Sequence, residues 1–206
     1  MPADLRDRVH VTGVEIDPPS VLAAIAAVPR HVFVEEALAS RAYEDTALPL
    51  GFSQTISQPY VVARMIEALR AGRDLGKTLE IGAGCGYQAA VLAQLTDEVY
   101  AVERIAPLLA KAKLNLRAIK QLKVRLKHAD GQFGLPEAAP FDTIIVAAAA
   151  AHVPRALMQQ LAPNGRMILP LGTATQQLVL IERRAEAYAE TRLDAVRFVP
   201  LLSGVE

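Results

Sequence analysis

The sequence predicts an α/β fold: a mostly parallel sheet covered by helices, with an antiparallel C-terminal portion and an N-terminal helical cap. Three observations carry this. Strand-like and helix-like segments alternate from residue 77 onward, the pattern of a doubly wound sheet with helices on both faces, hence three layers. A glycine-rich loop, "GAGCG" at 82–86, joins the first of these strands to a helix. Three strand-like segments close the chain with no helix between them, which predicts antiparallel pairing there.

Taken in order, "SVLAAIAAVPRHVFVEEALAS" (20–40) reads as two short helices broken at Pro29, with Ser20 as the first N-cap. After Pro59, Val61, Val62, Met65, Ile66 and Leu69 fall at helical spacing and predict an amphipathic helix. "KTLEI" (77–81) is a strand, followed by the glycine loop and the helix "YQAAVLAQL". "EVYAVE" is the next strand, followed by a helix from Ala106 to Ile119, and "VRLKH" is the third. "FDTIIVAA" is the fourth, and its unbroken apolar run fits burial on both faces of a parallel sheet. Pro154 to Leu161 makes a further helix, and "GRMILPL", "QQLVLIER" and "DAVRFVPL" are the closing strands. The expected organisation is one domain over 1–206, with 1–70 as cap and active-site segment and 71–206 as an α/β core.

Bulk composition narrows the function classes. Hydrophobic residues make up 52% of the 206, enough for a sizeable core and too many for a disordered chain. Lys plus Arg balances Asp plus Glu at 22 each, so no global field draws the chain to nucleic acid or to an anionic membrane. A single cysteine, Cys85, excludes an intramolecular disulfide and fits a reducing compartment. The start, "MPADLRDRVH", lacks the apolar core of a signal peptide, and no apolar run reaches the roughly 20 residues of a membrane span. The expectation is a cytoplasmic, monomeric protein.

The glycine loop is the strongest local signal. In open parallel sheets, ligands bind outside the carboxyl ends of the strands. Gly82, Gly84 and Gly86 let backbone approach a ligand there, and the following helix start offers free N–H groups. Glu103 ends the next strand, 21 residues after Gly82, where an acid can accept from two ribose hydroxyls. A dinucleotide fingerprint would need its third glycine at Tyr87, and no Gly-Lys-Ser/Thr pair marks a triphosphate loop. The run Glu80–Ile81–Gly82 with Gly84 and Gly86 resembles the S-adenosylmethionine loop of Rossmann-like methyltransferases. "HADG" (128–131) follows the third strand, placing Asp130 where it can accept from an adenine amino group, with Gly131 beside it. Cys85, inside the loop, is expected to be exposed and somewhat acidic beside a helix N-terminus when no cofactor is bound.

A second polar concentration precedes the helix at Pro59. Ser53, Gln54, Thr55, Ser57 and Gln58 supply more polar chemistry than one helix cap requires. "VPRHVFV" (28–34), "QTISQPYVVARM" (54–65), "LEIGAGCGYQAAVLA" (79–93), "PFDTIIV" (140–146) and "VRFVPL" (196–201) occur in order. Together they resemble the protein-L-isoaspartate O-methyltransferase family over nearly the whole chain. That resemblance implies S-adenosylmethionine as cofactor and isoaspartyl-containing proteins and peptides as partners. It implies methylation of the free α-carboxylate of L-isoaspartyl, and less well D-aspartyl, residues, after which the ester closes to a succinimide. It also implies that "TIS" (55–57) borders the active site with Ser57 as the active-site residue; Ser57 and Thr55, at a helix start beside Pro59, can supply hydroxyl donors to the carboxylate.

Some positions depart from the family pattern. Ala147 stands where threonine is common, Ala150 and Ala151 where prolines are frequent, and Ser53 where a glycine is common. Two alternatives therefore stay open: the same fold acting on another carboxylate or hydroxyl, or a cofactor-binding protein that has lost catalysis. The segment after the fourth strand, "VAAAAAHVP", lacks the Asn/Asp-Pro-Pro-aromatic run of many amine methyltransferases. The basic group Arg117, Lys120, Lys123, Arg125 and Lys127 reads as a solvated edge, so no nucleic acid is expected. His10, His31, His128 and His152 show no ligand spacing, and no metal is expected.

Overall fold

The computed structural model describes residues 21–185 and 187–206. Ser20 and His10 lie outside the described residues. Seven strands form one sheet in the order β5-β4-β3-β6-β7-β8-β9. Strands β3 (Thr78–Ile81), β4 (Val99–Glu103), β5 (Val124–His128), β6 (Phe141–Val146) and β7 (Leu161–Leu171) run parallel, and β8 (Gln176–Arg184) and β9 (Ala187–Val196) return antiparallel.

Consecutive side chains on a strand point to opposite faces, and β6 shows what that builds. Ile144 and Val146 join one core with Leu79, Ile81 and Leu157, whereas Ile145 joins a second core with Leu69, Leu108 and Leu116. The sheet is thus a middle layer between two apolar cores. Each fully buried Val, Leu, Ile, Phe or Met stabilises the fold by roughly 1.5–3 kcal/mol in transfer terms. On the second core lie α1 (Ala23–Ala27), α2 (Pro59–Arg70), α3 (Tyr87–Leu92) and α4 (Ala106–Ala118), and α5 (Arg155–Gln159) serves the first. Helix α2 starts with Pro59, whose fixed φ suits a first helical position, and buries Val62, Met65, Ile66 and Leu69.

Three differences from the sequence expectation matter for the site. The 20–70 segment also carries a hairpin, β1 (Leu48–Gly51) paired with β2 (Gln54–Ile56). Strand β7 begins at Leu161, inside the expected helix, because Phe141 already pairs there. The final strand ends at Val196, so residues 197–206 form a tail instead of continuing the sheet.

Candidate active site

A cavity opens at the carboxyl ends of the parallel strands. Its wall takes Glu80 to Cys85 from the end of β3, Val102 to Ile105 from β4, Gly131 after β5, and Ala147 and Ala148 after β6. The hairpin closes it with Leu50, Gln54, Thr55 and Ile56, and Ser57 and the tail residues Val199 to Leu202 complete it. Crossovers leave β3 towards β4 on one side and β6 lies on the other, so the cavity sits at the switch point where such sheets bind ligands.

Of the predicted residues, Ser57, Thr55, Glu80, Gly82, Gly84, Glu103 and Gly131 meet on this wall. Glu103 is 5% exposed. Its Oε2 accepts from Gly84 N at 2.8 Å and its Oε1 from Ile105 N at 2.9 Å. Each oxygen keeps a second lone pair, which suits a vicinal diol. Glu80 is 1% exposed; Oε1 accepts from Gln88 Nε2 at 3.0 Å, and Oε2 is buried without a partner among the described residues. Burial above all, set against the Gln88 bond and with Glu103 adding to it, pushes Glu80 up to about 8.

Two predicted residues lie off the described wall. Gly86 caps α3 with φ +86°, and a Cβ there would stand 3.3 Å from Ala112 Cβ. Its hydrogen side chain lets the loop pack on α4, a structural reason for the glycine. Asp130 caps the short 131–133 turn through Gln132 N at 2.8 Å and holds the tail through Gly204 N at 2.5 Å. Its neighbour Gly131 approaches so closely that a Cβ would come within 2.5 Å of Ile81 Cγ2.

Cys85 departs from expectation. It is 3% exposed, and burial first among several causes pushes its thiol up to about 11. The backbone N–H of Tyr87 at the start of α3 pulls the thiol the other way, but burial outweighs it.

The surplus polarity near Pro59 is not spent on capping the helix that follows. Helix α2 has no side-chain cap from Gln58, and its Tyr60 N is bound instead by Asp45 Oδ1 at 2.8 Å. Capping is therefore supplied from outside the stretch. The Ser57 and Thr55 hydroxyls make no hydrogen bond among the described residues, and both residues line two cavities. The second cavity runs along α2 and β9 and is lined by Tyr60, Arg64, Asp194, Arg197 and Phe198. Arg64 Nε binds Asp194 Oδ2 at 2.8 Å at its side. Thr55, Ser57, Ala147 and Val199 line both spaces and so form their junction.

Several wall features had no signal in the sequence. Arg104 lines the first cavity but sends Nε to Gly204 O at 3.0 Å and Nη1 to Glu206 at 2.9 Å. The alanine run holds the tail from the other side: Ala149 N donates to Val199 O and Leu201 N to Ala149 O, each at 2.8 Å. Ala150 N donates to Pro170 O at 3.0 Å, a bond no proline at that position can make. Arg30 of "VPR" is buried, donates to Ala42 O at 2.8 Å and stacks 4.7 Å over the Tyr87 ring, bracing the loop helix from behind. The basic edge is largely paired: Lys123 with Asp97, Arg125 with Glu98 and Lys127 with Glu137.

Comparison with known proteins adds the family. The family model described as protein-L-isoaspartate(D-aspartate) O-methyltransferase matches residues 4–206. A relative named protein-L-isoaspartate O-methyltransferase from Dechloromonas aromatica is 69% identical over 99% of this chain and 94% of its own. A solved structure of the same description superposes with TM-score 0.85 at 27% identity, covering 100% of this chain and 67% of that one. A Plasmodium falciparum structure, described as such an enzyme in complex with S-adenosyl-L-homocysteine, gives TM-score 0.79 at 26% identity, covering 97% of both chains.

Proposed function

The chain belongs to the protein-L-isoaspartate(D-aspartate) O-methyltransferase family, and from that premise we propose how its two cavities divide the work. The activity is S-adenosylmethionine-dependent methylation of the free α-carboxylate of L-isoaspartyl, and less well D-aspartyl, residues in damaged proteins and peptides. The first cavity is assigned to the cofactor and the second to the peptide flanking the damaged residue. One observation carries the assignment: the unengaged hydroxyls of Ser57 and Thr55 stand at the junction of the two.

The residues present fit the cofactor. Glu103 has acceptor capacity for the ribose, the backbone of Gly82 and Gly84 allows close approach, and Glu80, a wall residue with a buried unpartnered oxygen, suits a ligand bearing positive charge. Gly131 leaves room at the adenine end, where Asp130 keeps lone pairs beyond its two backbone bonds. S-adenosylmethionine brings an electrophilic methyl group on a sulfonium, with a neutral thioether as leaving group.

What the chain must do is then limited. An α-carboxyl group has a pKa near ~3.5, so the substrate arrives as an anionic nucleophile and needs no general base. Ser57 and Thr55 would orient the substrate carboxylate towards the cofactor's methyl group. Charge is annihilated as the oxygen meets the methyl group, so neutral hydroxyl donors bind the ground state less excessively than a guanidinium would. Leu50, Ile56 and the tail residues Val199 to Leu202 enclose the reacting atoms and exclude water.

Two broader points belong to the same reading. The chain works on protein substrates in the cytoplasm, a reading supported by the single free thiol, and without nucleic acid, supported by the paired basic edge; a monomer is the accompanying expectation. No helix among the described residues is long and apolar enough to cross a membrane. Among the described residues, the segment up to Arg70 acts as cap and active-site segment on the α/β core that follows, within one domain.

The test is Ser57→Ala. Turnover on an isoaspartyl peptide should fall ~10²-fold, the scale of one positioned donor, with cofactor affinity unchanged. Full activity would remove Ser57 from the mechanism, and a covalent adduct on it in intact mass spectrometry would overturn direct transfer.

A further inference from the structure

The wall of the second cavity carries Arg64, Asp194 and Arg197 as its charged side chains, and one of the two cations is left over. Arg64 Nε on α2 donates to Asp194 Oδ2 on β9 at 2.8 Å, so the carboxylate on the described wall is already paired. Arg197 is exposed and makes no hydrogen bond or ion pair among the described residues. Its head is free, but the chain beside it is pinned. Phe198 N donates to Gln176 Oε1 at 2.7 Å, and Phe198 O accepts from Gln176 Nε2 at 3.1 Å, which ties the tail to the start of β8. Val199 follows, held through its carbonyl by Ala149 N, and lines the junction of the two cavities. Two residues of chain span at most about 7 Å. The Arg197 Cα therefore stands within that distance of the junction residue Val199, and the neighbours of a peptide residue seated at the junction fall in the same span.

We propose that Arg197 is a specificity-determining residue: it binds an acidic side chain flanking the damaged residue, so that isoaspartyl sites with an acidic neighbour are favoured substrates. The inference rests on the second cavity being the peptide site. A guanidinium with no carboxylate of its own attracts one from the ligand, and its five donors suit a carboxylate. The reacting α-carboxylate is served by the Ser57 and Thr55 hydroxyls, so the Arg197 contact is the same before and during methyl transfer. Such uniform binding lowers KM and leaves kcat alone. The pair is exposed, so its effect is small and weakens with salt.

Steady-state methylation of isoaspartyl peptides by the intact protein tests this. Glutamate or its isostere glutamine is placed in turn at the first and second positions on either side of the isoaspartyl residue. At one of these positions glutamate should lower KM about two- to fivefold relative to glutamine at low salt, with kcat equal for the two peptides. The advantage should shrink at high salt. Arg197→Gln should erase it, and Arg197→Glu should reverse it in favour of lysine at the same position. Equal KM for every glutamate–glutamine pair in the wild type, a preference carried in kcat, or a preference that survives Arg197→Gln would overturn the proposal, while methylation of the glutamine peptides would leave the methyl-transfer reading standing. Absence of methyl ester on every peptide would sink that reading, and the proposal with it.

Discussion

Replacing Glu103 by glutamine probes the joint between fold and cofactor. In the folded chain its two oxygens each accept one backbone N–H, from Gly84 at 2.8 Å and Ile105 at 2.9 Å. Glutamine keeps one of these bonds and turns an amide NH₂ towards the other donor. A buried N–H is then left unpaired beside a second donor, at a cost of ~1–3 kcal/mol. The same exchange removes one acceptor from the ribose diol. A hydrogen bond to a charged group contributes ~1.5–3 kcal/mol, so cofactor Kd should rise about 10- to 150-fold. The two effects separate cleanly. Urea denaturation without ligand reads the first as a lower midpoint at constant slope, and calorimetry reads the second. A variant with wild-type stability and a Kd within about twofold of wild type would refute the placement of Glu103 at both ends.

Two further outcomes follow from buried groups. The Cys85 thiol, 3% exposed and pushed up to about 11, should resist alkylation equally with and without cofactor and react fully only in denaturant; fast labelling of the native empty enzyme would contradict this. Glu80 is raised to about 8 from its ordinary 4.5, so the folded state binds its proton more tightly than the unfolded state. Its contribution to stability is therefore complete below about pH 4.5 and is lost as pH rises towards about 8. Over that window it amounts to a few kcal/mol, on the order of 1.4 per pH unit. Stability of Glu80→Gln, followed by urea unfolding across pH 5–8, should lack that slope; an identical slope in both proteins would refute it.

The parallel core was legible because its strands are short apolar runs punctuated by glycine and by helical spacing. The loop–Glu103 pair was legible because both residues end adjacent strands, β3 and β4. Hairpin β1–β2 was not. Its strands span Leu48–Gly51 and Gln54–Ile56, and its turn uses Phe52 and Ser53 at φ 52° and 54°. Asparagine or glycine would have announced such a turn. The tail was misread for a related reason. "RFVPL" alternates like a strand, yet beyond Val196 it crosses the cavity and ties to Asp130 and Arg104. Those ties span 74 and 100 residues, distances over which local pattern carries no information. Gly86 and Asp130 also carry structural roles that the motif does not announce, packing against Ala112 and a bond to Gly204.

Methyl transfer from S-adenosylmethionine to matched peptides is the most direct test of the assigned chemistry. One peptide carries an L-isoaspartyl residue, and its partner of the same composition carries normal aspartate. On the proposed reading, the isoaspartyl peptide alone would present a free α-carboxylate at the junction of Thr55, Ser57, Ala147 and Val199. Rapid, saturable formation of methyl ester on the isoaspartyl peptide alone is the predicted result. Equal rates on both peptides, or no ester on either while the cofactor binds, would contradict it.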